Sequence, residues 1–469
     1  MKMLKTKLFG DNHFWRVGES SSAYLLPIRL TMIYLIFSII VYAFGPFEWV
    51  TYKPVLFYGL IFFYMAALWC GYRVGLMREF SNPIVWTEKH TDVMLRIVCP
   101  LIVLNFVVYI INIFRDYGFD NLNFIELGKQ MAIGLKNPGL GYALRYQRVQ
   151  VLQGSDVIGG YVFSLFNYFW AFFKLPISII GMIYFKKLKL YAKIFTVLYL
   201  LATIVFYMSI GTNIDILHVF LFLEIGMILK TFTRWYKKEL QKKDVVKLVI
   251  SLLAGFAFVA CYFTWMMVSR GGINNLDKPD YNVGGVHVDI ELPLQTETPS
   301  IFMKFWVSFS SYFTQGYYGM SQALTLPWTP MFGLGNSLFA VDFVTEHIYD
   351  IEQFTYQLKL EALGWKSGLQ WHSIYTWLAN DFSFYGVIVA MFLIGVLFGE
   401  MFKDAVKGTN PFAKISVFYF MLMMLFIPCN NQIAQRADTL FSFVLIVLCW
   451  FLCKHPPAFL RKIFKGANV

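Results

Sequence analysis

The stretch VIVAMFLIGVLFG, residues 387–399, indicates the class of fold, because it runs for thirteen residues without a charge. It directly follows WHSIYTWLANDFSFYG, residues 371–386, in which a histidine and a carboxylate stand among several aromatic residues. Apolar segments of roughly 17 to 25 residues are long enough to cross a bilayer as helices. Ten segments of this kind are predicted, near residues 25–45, 54–72, 93–114, 159–185, 190–210, 213–230, 246–268, 385–402, 412–429 and 438–453.

The composition agrees with a membrane protein. Of the 469 residues, 58% are hydrophobic and only 14% are charged, whereas soluble domains carry roughly a quarter charged residues. An eleventh aromatic stretch begins at Ile301, but Lys304 and polar residues interrupt it, which favours an interfacial or re-entrant helix. The sequence therefore predicts an all-α polytopic integral membrane protein of about 10–12 transmembrane helices, with 1–469 forming a single membrane domain.

Basic residues predict the orientation. If the spans alternate, 25 of the 40 Lys and Arg residues lie on the side that holds both termini. Cytoplasmic loops carry the excess of positive charge, so both termini are expected in the cytoplasm. The net charge of +12 is then a topology signal, and nucleic acid is not an expected partner. Two long loops, 115–158 and 269–384, are expected outside, and external loops are frequent sites of function.

The first external loop contains an unusual basic motif, GYALRYQRVQ. Arg145 and Arg148 are three residues apart and would share one face of a helix. Each guanidinium group can donate two parallel hydrogen bonds to phosphate oxygens, and Tyr142 and Tyr146 could stack on sugar rings. The alternative is that these arginines extend to lipid head groups or cap a helix.

Three further arginines are expected outside. Arg115 belongs to the first external loop, Arg270 follows the seventh span, and Arg436 precedes the last span. Taken singly, Arg270 and Arg436 would be helix-end anchors, but an outward-facing cavity could collect them with the pair above.

His372 and Asp381 are the candidate proton-transfer groups. Histidine is the usual general base near neutral pH, and a bend at the membrane surface could bring both residues into one pocket. The alternatives are an interfacial histidine bonded to backbone and an aspartate that caps the next helix. The sequence contains no HExxH spacing and no CxxC pair, so neither a metal nor another cofactor is expected.

Three stretches carry a resemblance to a known family. They are MSIGTNIDILHVFLFLEIGMILK (208–230), QGYYGMSQALTLPWTPMFGLG (315–335) and HSIYTWLANDFSFYGVIVAMFLIGVLFG (372–399). Together with the span count and the two long loops, they resemble the Wzy-type oligosaccharide repeat-unit polymerases, or O-antigen polymerases, of the bacterial envelope. One position departs from the pattern, because Asn213 stands where members often have an arginine.

The resemblance implies an enzyme of the bacterial inner membrane whose active site faces the periplasm. Its substrates would be undecaprenyl-pyrophosphate-linked glycans, and a chain-length co-polymerase would be its partner. Arginines would hold the pyrophosphates, a role carried onto Arg145, Arg148, Arg270 and Arg436. With His372 or Asp381 as the base, the reaction would be metal-independent and inverting. The alternatives are an O-antigen ligase and a sugar-lipid flippase or other transporter.

Overall fold

The fold was examined in a computed structural model. It describes residues 21–78, 84, 86–151, 157–269, 282–283, 285–287, 300–408 and 410–458. Within these residues the chain is helical apart from connecting segments and a hairpin of two-residue strands, β1 (Asn282–Val283) and β2 (Val286–His287).

The helices fall into long and short groups. The long helices are α1 (Ser21–Phe44), α2 (Pro54–Met77), α3 (Glu88–Asp116), α6 (Gly160–Ile183), α7 (Leu190–Ser209), α8 (Ile214–Tyr236), α9 (Lys242–Ser269), α10 (Ile301–Ala323), α13 (Ile374–Lys407), α14 (Pro411–Phe426) and α15 (Ala437–Lys454). The connecting segments contain α4 (Phe124–Lys136), α5 (Pro138–Val151), α11 (Leu338–His347) and α12 (Tyr356–Glu361).

Nine helices of the described chain are long and apolar enough to cross a bilayer: α1, α2, α3, α6, α7, α8, α9, α13 and α15. This confirms the prediction of an all-α polytopic membrane protein. The predicted span at 412–429 corresponds to α14, which has 16 residues and so a length of about 24 Å, short of a hydrocarbon core of roughly 30 Å. It packs instead within the protein, against α13 and α15.

The two ends of the bundle are distinguished by the helix ends that meet there. We call the end at which α3 stops at Asp116 and α15 starts at Ala437 the long-loop face, and the opposite end the basic face. The 115–158 loop at the long-loop face folds into α4 and α5. The charge distribution predicts that this face is external, and the orientation stays a prediction.

Helices α2 and α13 pack with their backbones in close contact. Gly71 and Gly75 on α2 meet Gly395 and Gly399 on α13, so each helix presents glycines four residues apart. A Cβ atom placed on Gly71 would lie 2.0 Å from the carbonyl oxygen of Phe392, and the other three glycines are equally close to backbone oxygens, at 2.2–2.3 Å. Small residues at this spacing let two membrane helices approach until their backbones touch.

Helix α10 is the aromatic stretch that the sequence places at the interface or in a re-entrant turn. It forms one helix of 23 residues whose C-terminal half is buried. A Cβ atom on Gly316 would lie 2.1 Å from the carbonyl oxygen of Pro428 and 2.7 Å from the Ser373 nitrogen. The start of α13 is therefore packed between α10 and the segment before α15.

Candidate functional site

A network of charged side chains lies at the long-loop face. Arg436, which precedes α15, donates from Nη1 to both carboxylate oxygens of Asp215 at 3.0 and 3.1 Å and from Nη2 to Asp438 at 3.0 Å. Lys174 donates from Nζ to the same Asp438 oxygen at 2.9 Å. The Nδ1 atom of His218 is 3.6 Å from Asp215. Three helices, α6, α8 and α15 with its N-cap Arg436, are thus joined by alternating charges.

Local sequence explains how these charges are tolerated in an apolar bundle. Asp215 and Asp438 occupy the first turns of α8 and α15, where the helix dipole favours a carboxylate. Lys174 lies within the span α6, and a charged side chain at that depth is costly unless it is paired. The two neighbouring carboxylates raise the pKa of Arg436 well above its usual range, so this arginine stays charged.

The network forms one wall of a cavity of about 380 Å³. The other walls supply a carboxylate, two amides, a hydroxyl and three tyrosines, namely Asp116, Asn112, Asn167, Ser164, Tyr109, Tyr168 and Tyr207. A cavity of this kind combines stacking surfaces with convergent polar groups, which is typical of a site for a small polar ligand.

Asp116 and Arg145 are the charged groups near the cavity that remain available for a ligand. Asp116 is exposed and lines the cavity, and it makes no hydrogen bond or ion pair within the described part of the chain. Arg145 is half-buried, and its Nε atom likewise lacks a partner among the described residues. Asp116 lies within electrostatic range of Arg145, Lys174 and Arg436, although it forms no ion pair with any of them in the described chain.

The other arginines of the first long loop are occupied. Arg148 donates to Gln130 at 2.9 Å, and its guanidinium carbon lies 5.0 Å from the centre of the Tyr117 ring. Arg115 donates to the carbonyl oxygen of Ile158 and to the Ser164 hydroxyl at 2.7 Å. Arg115 therefore closes the base of the loop. To bind pyrophosphate, it would have to release these partners.

Two predicted sugar-stacking residues lie on the surface of α5. Tyr142 and Tyr146 are 38% and 60% exposed, so both rings are accessible at the long-loop face. Arg270, also predicted to bind pyrophosphate, lies outside the described residues. The stacking and binding roles of all three stay predictions.

His372 does not line the cavity. Its side chain is buried, with 3% of the residue exposed, and neither ring nitrogen has a hydrogen-bond partner within the described chain. It lies beside Gly319 and makes an edge contact with the ring of Trp377. Burial lowers the pKa of His372 to about 3, so the imidazole is neutral at physiological pH. Its role as base stays a prediction.

Asp381 does not cap α13. The hydroxyl of Ser373 caps the first part of α13 by accepting from the Thr376 amide. The helix breaks at Ser383 (φ 57°), and the Ser383 hydroxyl accepts from the Gly386 amide at the start of the second part. The Asp381 carboxylate instead accepts from the backbone N–H groups of Gly333, Gly335 and Asn336 at 2.8–3.0 Å, and from the Asn336 side chain at 2.7 Å.

The loop that Asp381 holds reaches the charged network. The Asn336 carbonyl accepts from Asn431 at 2.8 Å, and the Ser337 hydroxyl donates to the Ala434 carbonyl at 2.8 Å. Ala434 lies two residues before Arg436 in the chain. Asp381 thus positions the segment that carries Arg436.

The predicted residues are therefore only partly brought together. Arg145 and Arg436 gather around Asp116, whereas His372 and Asp381 lie elsewhere. The cavity residues Asp116, Lys174 and Asp438, and the network residue Asp215, were not among the predicted site residues. Their signal was a set of charges inside or at the ends of apolar spans, where an ionisable residue is a functional candidate.

No protein-family model matches the chain, and no curated protein and no solved structure matches it.

Proposed function

We propose that the protein is a membrane glycosyltransferase that polymerises lipid-linked oligosaccharide repeats at the long-loop face. The three sequence stretches that resemble the O-antigen polymerases support this class. The observation that carries the proposal is an unpaired carboxylate, Asp116, which lines a cavity walled by charges and tyrosines and lies within electrostatic range of Arg145, whose Nε atom has no partner among the described residues.

The reaction needs a cation for the leaving group and a base for the acceptor. Arg145 would bind the pyrophosphate of the donor, whose negative charge grows as the bond to the anomeric carbon breaks. Lys174 and Arg436 would add positive potential from the wall. Asp116 would take the proton of the acceptor hydroxyl as its oxygen bonds to the anomeric carbon from the opposite side. The bond electrons leave with the pyrophosphate, and the configuration is inverted.

Asp116 is proposed for the base because it faces the cavity, whereas His372 is enclosed. A base must lie within hydrogen-bond reach of the proton that it removes. His372 would need its surroundings to open before it could contact a sugar. The cavity volume suits the reacting sugar and the diphosphate, and the remaining glycan would extend over α5, where Tyr142 and Tyr146 are exposed.

The proposed setting follows from the same function. Undecaprenyl-pyrophosphate-linked repeats would reach the cavity from the membrane, in a bacterial inner membrane with the long-loop face toward the periplasm. A chain-length co-polymerase is the proposed protein partner, as the resemblance implies.

The test is a reaction of the purified protein, in lipid nanodiscs, with one lipid-linked repeat as the sole substrate. A ladder of products is expected, and Asp116→Asn and Arg145→Gln should each reduce its rate by at least about a hundredfold. The matched controls Asp120→Asn and Lys129→Gln change the same charges on exposed positions of the same loop and should retain the ladder. Chain transfer that requires a lipid A core acceptor would instead identify a ligase.

A second candidate is a sugar-lipid transporter, which the depth of the Lys174–Asp438 pair favours. Intramembrane ion pairs are frequent in transporters. In sealed vesicles a transporter would move a fluorescent lipid-linked sugar between leaflets without lengthening it. That result, with no ladder, would reject the polymerase.

A further inference from the structure

A second polar cavity, of about 360 Å³, lies at the basic face, at the opposite end of the bundle from the candidate site. Lys230, Arg234 and Lys237 line it from the last turns of α8, at a spacing of four and three residues that places them on one side of the helix. Lys414, from the first turn of α14, lines it from across. Two helices therefore direct four cationic side chains toward one space.

Most of this charge is uncompensated. Arg234 is neutralised, because its Nη1 atom lies 2.7 Å from both carboxylate oxygens of Asp244. Lys230, Lys237 and Lys414 make no ion pair with any residue that the structure describes. Glu239 is the carboxylate in the lining. Like charges this close repel one another, so an anion bound among them would relieve the repulsion.

Lys414 is held in place for this role. Its Nζ atom lies 5.5 Å from the centre of the Tyr184 ring, a cation–π contact that leaves its donors free. Lys187 and Lys237 lie within electrostatic range of it. The ammonium group therefore stays at the cavity despite the neighbouring positive charge.

The inner wall of the cavity is apolar. Ile183 and Leu229 line it together with Gly226. A Cβ atom added to Gly226 would have the Met182 carbonyl oxygen, at 3.7 Å, as its neighbour, so the glycine leaves an open slot. Lys230 is six residues before the end of α8, which places it roughly 9 Å inside the helix end.

We propose that this cavity binds an anionic membrane phospholipid, with its phosphate among Lys230, Lys237 and Lys414 and one acyl chain along Gly226 and Leu229. Basic pockets between membrane helices recognise lipid phosphates in this way. A free phosphate ion would use the lysines alone, whereas the apolar slot beside them provides contact for a hydrocarbon chain.

The test measures retention of phosphatidylglycerol and phosphatidylcholine by the detergent-purified full chain, using native mass spectrometry. Phosphatidylglycerol should bind more tightly, and the combined change Lys230→Gln, Lys237→Gln and Lys414→Gln should raise its Kd by roughly a hundredfold. The control changes Lys242→Gln, Lys243→Gln and Lys247→Gln remove the same charge from exposed positions outside the cavity. Their effect should stay below about threefold, because none of these three side chains lines the cavity. Equal losses in both variants, or equal binding of the two lipids, would overturn the proposal.

A second variant separates the lipid from a soluble anion and keeps the test independent of the lysines. Gly226→Leu fills the apolar slot and retains every charge, so it should weaken phosphatidylglycerol binding by at least about tenfold. Inorganic phosphate at the same free concentration should not displace the lipid from the native chain. Displacement by phosphate, or unchanged lipid binding in Gly226→Leu, would assign the cavity to a soluble anion and reject the lipid.

Discussion

Replacing Gly71 by alanine perturbs the contact between α2 and α13 by a single methyl group. The new Cβ atom would lie 2.0 Å from the Phe392 carbonyl oxygen and 2.9 Å from its carbon, whereas ordinary contact begins at 3.4 Å. The obstacle is backbone, which cannot rotate aside as a side chain would. The two helices must therefore separate locally by about 1.4 Å, the difference between the oxygen distance and ordinary contact.

The expected cost combines three effects. Overpacking of a tight contact costs about 1–3 kcal/mol. Separation also weakens contacts at Gly75, Gly395 and Gly399, each atom pair contributing about 0.1–0.2 kcal/mol. Alanine offsets about 1 kcal/mol of this by its higher helix propensity. The free energy of unfolding should therefore fall by about 1–2 kcal/mol.

The assay is unfolding of the purified protein by SDS in mixed micelles, followed by circular dichroism. Gly59→Ala is the matched control on the same helix, because a Cβ atom there meets nothing within 4 Å. It should be neutral or stabilise the protein by up to about 1 kcal/mol. If Gly71→Ala is as stable as Gly59→Ala, the backbone contact between α2 and α13 is not as close as described.

Three further predictions concern polar residues. Lowering the pH from 7 to 5 should reduce the free energy of unfolding of the native chain by about 2 kcal/mol more than that of His372→Gln. The reason is that the pKa of His372 falls from 6.5 to about 3 on folding, so that between these values only the unfolded chain takes up the proton. Thermal unfolding at both pH values checks this, and an equal pH dependence of the two proteins would contradict it. Asp381→Asn should destabilise the 333–336 loop by about 2–3 kcal/mol, since an amide nitrogen would face backbone donors, and faster proteolysis of that loop would report it. Arg436→Gln should lower the free energy of unfolding by about 2–4 kcal/mol, because Asp215 and Asp438 lose the cation that they share. Arg436→Lys should lower it less, and equal denaturation midpoints for the two variants would contradict the network.

The spans were predictable because each is a local property of the sequence. A run such as 387–399 has no stable alternative to a helix in a bilayer, since its backbone groups must be satisfied internally. The segment 412–429 was predicted as a span from its apolar length, and the helix α14 that forms there is shorter, with 16 residues. The surroundings of α10 depend on Pro428 and Ser373, which are far from it in sequence.

The site was less predictable because its members meet only through tertiary packing. Arg436 was identified by its expected position outside the membrane, but its two carboxylate partners come from different helices. His372 fitted a base by residue type, and its burial is set by Gly319 on α10. Asp116 carried no local signal beyond standing at the end of a span. Residue chemistry therefore indicated the charges, and the fold determined which of them are free.

The ion pair between Lys174 and Asp438 has a consequence for the synthesis of the chain. The partners are 264 residues apart, so at about 5–20 residues per second the lysine waits roughly 13–50 seconds for its carboxylate to be made. During that interval α6 holds an ammonium group inside the membrane region at a cost of about 2.5–3.5 kcal/mol, and the helix is otherwise apolar enough to remain inserted. Pairing with Asp438 on α15 then removes this cost, so α15, which is made late, stabilises the insertion of α6, which is made much earlier.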